Sequence, residues 1–265
     1  MKIRINDIEV SYVDRGAGLP VLFVHGFPLD GSLWQPQVDA LSSEYRVIVP
    51  DLRGFGGSTP TPQVTMDQYA DDLRAFLDEL GIDAVVLAGL SMGGYIAFAF
   101  YRNYPGRVQG LVLVDTRPQP DTDEARANRA ATAEKVKVYG AAWLADEMVG
   151  KLMSPATIEH RPELVQTVHA MMARQPVEGI VAALHGMAGR PDSRPLLGDI
   201  SVPTLVVVGA DDTLTPVADA ESMVDAIPGS ELVVIPDAGH LSNLEQPEMF
   251  NQALRQFLAI RTRGG

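Results

Sequence analysis

Apolar positions along the chain follow two rhythms. Six short runs, VLFVH at 21–25, RVIVP at 46–50, AVVLA at 84–88, GLVLVD at 110–115, TLVVVG at 204–209 and ELVVI at 231–235, are nearly continuous, which is the pattern of strands covered on both faces. Two earlier runs, KIRI at 2–5 and IEVSYV at 8–13, read as an antiparallel hairpin at a sheet edge. Between the runs lie helical stretches at 67–80, closed by Gly81, at 92–103, stopped before Pro105, and at 216–226 and 247–260. Alternation of strand and helix predicts an α/β fold built on an eight-stranded, mostly parallel sheet flanked by helices.

Residues 117–195 break the alternation. They contain no convincing strand, and four helical patterns there are separated by Gly or Pro. Leu164, Val165, Val168, Met171 and Met172 make one apolar helix face; Val177, Ile180, Val181, Leu184 and Met187 make a second; Leu144, Met148 and Leu152 make a third, near Trp143. We expect a core domain formed by 1–116 and 196–265, with 117–195 inserted between the sixth and seventh strands as a helical cap. Methionines and leucines in such a cap suit an adaptable apolar pocket over the strand ends, though a helical subdomain with its own small core would give the same pattern.

Composition narrows the chemistry. The 265 residues are 46% apolar, ample for a buried core, and the formal net charge of −13 opposes binding to nucleic acid or to anionic lipid. No window approaches the length of a membrane span and the N-terminus lacks a signal-peptide core, so a soluble, cytoplasmic protein is expected. The absence of cysteine excludes disulfides, thiolate metal sites and cysteine nucleophiles. His25, His160, His169, His185 and His240 show no metal-ligand spacing. Neither a metal nor another cofactor is expected.

GLSMGG at 89–94 stands where a strand hands over to a helix, and it contains G-x-S-x-G as Gly89-Leu90-Ser91-Met92-Gly93. In that context the glycines relieve a turn too tight for Cβ atoms, and Ser91 is exposed at a helix N-terminus whose free N–H groups favour developing negative charge. A serine hydroxyl needs a base, and the base needs an anion to orient it. Asp211 and Asp212 follow the TLVVVG strand and His240 follows ELVVI. In a parallel sheet these loops open on the same edge as Ser91, where open α/β sheets place their ligands.

The motifs HGFP at 25–28, DLRGFGGS at 51–58, GLSMGG at 89–94, GADDTLTP at 209–216 and DAGH at 237–240 together resemble the α/β-hydrolase family over essentially the whole chain. The resemblance implies a catalytic set of Ser91, Asp212 and His240. Asp212 is preferred to Asp211 because the family's G-x-x-D pattern, with Thr-Pro after it, maps onto Gly209, Asp212, Thr215 and Pro216. It also implies an oxyanion hole of backbone N–H groups, one from Met92 and one from the loop holding HGFP; Pro28 has no N–H, which leaves Phe27. Phe27, Trp34, Trp143, Met148, Leu152 and Leu184 are expected to line the substrate pocket. His25 and Arg53 are expected to brace loops, and the three cap histidines to be surface or packing residues. Among family branches the chain is most similar to small bacterial carboxylesterases, 3-oxoadipate enol-lactonases and cofactor-free haloperoxidases or perhydrolases. The serine at the elbow argues against branches that use aspartate there. The expected activity is hydrolysis of small esters with short to medium chains through an acyl-enzyme. Lactone hydrolysis, perhydrolysis and a triad-bearing ligand receptor with slow turnover are the alternatives. A lactonase of that type needs a cation for its substrate's carboxylate, for which Arg126, Arg129, Arg174, Arg190 and Arg194 are the cap candidates. Oligomeric state is not encoded in any pattern found.

Overall fold

The computed structural model describes residues 1–262. Its eight strands are β1 (Lys2–Ile5), β2 (Ile8–Arg15), β3 (Pro20–Val24), β4 (Arg46–Pro50), β5 (Val85–Leu90), β6 (Val108–Val114), β7 (Thr204–Gly209) and β8 (Glu231–Ile235). They form one sheet in the order β1-β2-β4-β3-β5-β6-β7-β8. β2 pairs antiparallel with β1 and β4, and every other neighbouring pair is parallel. The expected sheet is thus the observed one. Chain order reverses direction at β3, which has β4 on one side and β5 on the other. A crevice opens at the carboxyl ends of strands flanking such a switch point.

The period-two rule of strands sorts their side chains into two cores. Leu22, Leu87, Leu111 and Val206 face one layer with α2 (Met66–Glu79), α3 (Met92–Asn103) and α9 (Val217–Ala226). Phe23, Val86, Val112 and Val207 face the other, with α1 (Gln35–Leu41), α10 (Ser242–Glu245) and α11 (Pro247–Thr262). Of the six runs read as doubly covered, five are; β8 is the outer edge, and Val234 on it is 39% exposed. Helix α1 has no counterpart in the sequence reading: it is seven residues, too short for a helical period to register, and is launched by a 3₁₀ turn at Gly31–Trp34 that Asp30 caps through Ser32 N–H.

Between β6 and β7 run α4 (Asp123–Leu152), α5 (Pro155–His160), α6 (Pro162–Ala173), α7 (Val177–Ala188) and α8 (Arg194–Leu197). Helix α4 is broken at Gly140, whose φ of 83° and ψ of 177° are not helical. α4 packs against both α6 and α7. The three apolar stripes read from the sequence are buried or partly buried, but they do not form a core of their own: Leu144, Ile180 and Leu184 join one sheet-face core, and Leu152, Val168, Met171 and Met172 join the other.

Trp34 departs from expectation. Its ring is fully buried, 4.9 Å from the ring of Phe23 and 6.0 Å from that of Phe250, so it is a core residue beneath the sheet and lines no pocket. The 3₁₀ turn rotates it inward, a rotation that apolar patterning does not encode. Trp34→Ala is expected to lower unfolding free energy by about 3–5 kcal/mol, whereas Val138→Ser, at a site 74% exposed, should change it by less than about 0.5 kcal/mol; urea unfolding of both variants checks the contrast.

Candidate active site

Ser91 immediately follows β5 and holds φ 55° and ψ −111°, a backbone conformation that side-chain-bearing residues rarely adopt. The sequence permits it because the residues two positions away on either side, Gly89 and Gly93, lack side chains. A Cβ on Gly89 would collide with the Gly93 carbonyl, and one on Gly93 with the Val24 carbonyl. The turn is held by Ser91 N–H donating to Val114 O at 2.9 Å and by Thr116 Oγ1 donating to Ser91 O at 2.8 Å. Ser91 is partly exposed, unlike the rest of α3's first turns, which are buried.

Beside it stands the imidazole of His240. Its Nε2 lies 2.8 Å from Ser91 Oγ, and its Nδ1 lies 2.8 Å from Asp212 Oδ2. Asp212 and His240 are each only 4% exposed. With the Nδ1 proton donated to the carboxylate, Nε2 is left as the acceptor facing the serine hydroxyl. The remaining lone pairs of Asp212 are filled: Oδ1 accepts from Leu214 N–H (2.8 Å) and Thr215 N–H (3.0 Å), and Oδ2 accepts from Thr215 Oγ1 (2.6 Å). Burial alone would raise the Asp212 carboxyl, but the hydrogen bond and charge of His240, with the bonds from Thr215, outweigh it and hold the group below the ordinary aspartate value. Burial likewise pushes the His240 imidazole down, and the hydrogen bond and charge of Asp212, helped by the charge of Asp115, more than reverse this, so its pKa stands above the ordinary histidine value. Asp211, one residue away, is exposed.

Met92 is the first residue of α3, so its N–H has no partner within the helix. Phe27 follows Gly26 in the loop after β3, and a Cβ on Gly26 would lie 3.3 Å from Ser91 Cβ, which places this loop against the serine. Phe27 is buried and meets the Phe55 ring edge-on at 6.4 Å. Of the other residues expected at a pocket, Leu152 and Leu184 are buried in the two cores, whereas Trp143 and Met148 are partly buried. The Trp143 ring lies 5.8 Å from Tyr139 and under the ammonium of Lys135. A cavity of about 1050 Å³ between residues 62–68 and α7, with His185 on its wall, is separate from this centre: none of Ser91, Asp212 and His240 lines it.

Two further histidines and an arginine have bracing contacts. His25, buried, donates from Nδ1 to Gly26 O and accepts from Leu52 N–H at Nε2; burial holds its pKa below the ordinary value. Arg53 bridges Asp7 and Asp72, and His169 reaches Asp146 at 2.7 Å. The five arginines considered for anion recognition are already paired, Arg126 with Asp123, Arg129 and Arg190 with Asp121, Arg174 with Asp30, and Arg194 with Asp192.

Sequence reasoning passed over Thr215 as a ligand of Asp212, and two buried carboxylates. Glu245 in α10 accepts from Gly239 N–H (2.8 Å) and from Ser154 N–H (2.7 Å). Together with His240 N–H donating to Leu152 O at 2.9 Å, it ties the histidine loop to the end of α4. The other carboxylate, Asp115, ends the run GLVLVD, where a charge closing an apolar strand was the available signal.

Comparison with known proteins identifies the lineage. A family model described as the alpha/beta hydrolase fold matches residues 20–247. The chain belongs to the α/β-hydrolase family. It is 34% identical to 3-oxoadipate enol-lactonase 2 of Acinetobacter baylyi, over 94% of this chain and 92% of that protein. It is 29% identical to a non-heme bromoperoxidase homologue of Mycobacterium tuberculosis, over 95% and 98%. Among solved structures, a thermophilic esterase from Thermogutta terrifontis, bound to malate, superposes with a TM-score of 0.96 at 48% identity, covering 98% of each chain. The enol-lactonase from Burkholderia xenovorans gives 0.91 at 28% identity, covering 98% of this chain and all of that one. The protein is therefore a hydrolase of this family. Among the described residues no helix is long and apolar enough to cross a membrane.

The Glu245 contacts generate a stability prediction. Glu245→Ala strands two buried N–H groups and should cost about 2–5 kcal/mol, against little change for Glu248→Ala, which is exposed; thermal unfolding of the two variants side by side tests this.

Proposed function

We propose that the protein is a serine carboxylesterase acting on small esters of short to medium chain length. What carries this reading is the unbroken pair of 2.8 Å contacts joining Ser91 Oγ, the His240 ring and Asp212. Ser91 attacks the ester carbonyl as His240 Nε2 takes its proton; Asp212 keeps the imidazole in the required tautomer and stabilises the imidazolium. The N–H groups of Phe27 and Met92 receive the oxyanion. His240 then passes its proton to the departing alcohol, and water, activated by the same imidazole, releases the acid and restores Ser91. Helices α4–α8 serve as the cap over this centre, with Trp143 and Met148 as the side chains that meet the acyl or alkyl group.

The resemblance to esterases and enol-lactonases supports ester chemistry and leaves the leaving group open. The pairing of all five cap arginines favours uncharged esters. One observation favours the lactone reading: Arg117, just beyond β6, has no ion pair among the described residues, its buried Nε has no hydrogen-bond partner, and its charge reaches His240. Hydrolysis of p-nitrophenyl esters from acetate to decanoate, compared with a carboxylate-bearing enol-lactone, decides between them: a peak at short to medium chain with weak lactone turnover supports the esterase, and a lactone preference abolished by Arg117→Ala rejects it.

Ser91→Ala is expected to reduce kcat by on the order of 10⁴ to 10⁶ with the unfolding midpoint unchanged or higher, because replacing Ser91 removes no core contact. Retention of most activity by the folded variant would exclude the mechanism. Attack requires neutral His240, and the pKa of this group is raised, so kcat/KM should climb with pH through a midpoint above the ordinary histidine value of about 6.5; a rate profile between pH 5 and 9 measures it.

A further inference from the structure

The mechanism leaves one buried carboxylate beside the triad without a role. Asp115 is the residue directly after β6, is fully buried, and holds a left-handed φ of 44°. Its two oxygens hold two different loops. Oδ1 accepts from Gly209 N–H at 2.9 Å, at the end of β7 where the Asp212 loop begins. Oδ2 accepts from Ser242 N–H at 3.1 Å and Ser242 Oγ at 2.6 Å, two residues beyond His240. Asp115 N–H in turn donates to Val207 O at 2.9 Å, which fixes the carboxylate's own backbone to β7.

We propose that Asp115 is a positioning residue that clamps the Asp212 loop to the His240 loop and, when ionised, places a second negative charge near the imidazole. The inference rests on the esterase reading only for its activity readout. A single side chain reaches the start of the acid loop and the far side of the base loop, adding to the backbone bonds from Ala210 N–H to Ile235 O and from Asp211 N–H to Ala238 O, both 2.8 Å, that also join the two. Relative displacement of those loops would open the Nδ1 to Oδ2 contact, and misplacements of about 1 Å at a reacting centre cost on the order of 10²-fold in rate. The charged groups that act on Asp115 or share its surroundings are Asp212 on the loop after β7, His240 on the loop after β8, and Arg117 on its own loop. Burial and then the Asp212 charge push the Asp115 carboxyl up to about 7, against the charge of His240 and the bonds from Ser242 and Gly209. The negative charge that Asp115 presents to His240 is therefore lost as pH falls through that range.

The sign is fixed. A negative Asp115 favours the imidazolium, so Asp115→Asn, which keeps the shape but drops the charge, moves the His240 titration to lower pH. Ser242→Ala removes the hydroxyl that donates to Asp115 Oδ2 and helps hold its carboxyl down, so it moves the His240 titration in the same direction but by less, and lowers kcat by less. The test follows the His240 ring by NMR in ¹⁵N-histidine-labelled full-length protein, wild type and both variants, alongside kcat and KM for a p-nitrophenyl ester from pH 5 to 9. Expected for Asp115→Asn are a downward shift of the ring titration, the same shift in the activity limb, and kcat reduced about 10-fold or more with KM little changed. Asp115→Ala, which also frees Gly209 N–H, should be slower still; if it does not fold, the Asn and Ser242 variants carry the comparison. A His240 titration identical to wild type in folded Asp115→Asn, or an unchanged kcat, overturns the proposal. Because the NMR titration needs no substrate, it stands even where the wild type fails to hydrolyse esters, an outcome that would reject the esterase reading alone.

Discussion

The left-handed backbone at Ser91 is the constraint around which the site is built. Such a conformation costs of the order of 1–3 kcal/mol and survives only where neighbours over-determine it. Here they do: glycines at 89 and 93 remove the Cβ atoms that would meet backbone carbonyls, β6 accepts the Ser91 N–H, and Thr116 donates to the Ser91 carbonyl. The result lifts one hydroxyl off the strand end while α3 starts beneath it with free N–H groups. Chain reversal at β3 puts the Gly26-Phe27 loop beside the same spot. A candidate nucleophile and two candidate oxyanion donors are therefore consequences of strand order and steric exclusion, before any partner side chain is considered.

The partners come from the next strands across the sheet, and electrostatics decides how they are held. Asp115, Asp212 and Glu245 bring three carboxylates into a buried region around one imidazole, an arrangement that desolvation opposes. Each is offset by donors: every carboxylate oxygen named above accepts a backbone N–H, a hydroxyl or the His240 ring. The division of labour differs. Asp212 spends one oxygen on the ring and is held ionised by it, whereas Asp115 and Glu245 touch only backbone and Ser242 and fix the frame. Asp115 is pushed toward neutral pH because burial and the neighbouring Asp212 charge outweigh the bonds from Ser242 and Gly209.

Much of this was legible in the primary order, for reasons that differ by element. The parallel strands announced themselves because their apolar runs carry no polar alternation, and Ser91, Asp212 and His240 each sit in a loop directly after one of them. What escaped has a common physical character. Helix α1 and the turn before it are too short for a period, so the inward rotation of Trp34 had no signature and its aromatic size suggested a pocket wall. Edge exposure of β8 depends on which strands lie beside it, a property of topology. Asp115 and Glu245 acquire their meaning from backbone N–H groups contributed by loops or helix ends brought together only by folding; a side-chain motif cannot show a partner that is a peptide bond. The apolar stripes between β6 and β7 were visible as amphipathic helices, yet which sheet-face core each joins is settled only by how α4, broken at Gly140, packs with α6 and α7.

The segment between β6 and β7 is also tied to the site. The C-terminal half of α4 is bonded to the histidine loop through Leu152 O, and the residues just after it through Ser154 N–H to Glu245 and Ser154 Oγ to Asp237 O. Gly239 allows this approach, because a Cβ there would fall 2.7 Å from Ser154 N. The first half of the helix is anchored differently: Arg129, on it, and Arg190, after α7, both bind Asp121, and neither contact involves the histidine loop. The two halves meet at a glycine free to hold a non-helical φ and ψ, with nothing within 4 Å of where its Cβ would lie. The break at Gly140 therefore separates a segment anchored through Asp121 from one bonded to the histidine loop. Trp143 and Met148, proposed above to meet the substrate, lie beyond Gly140 on the same segment that is bonded to the histidine loop.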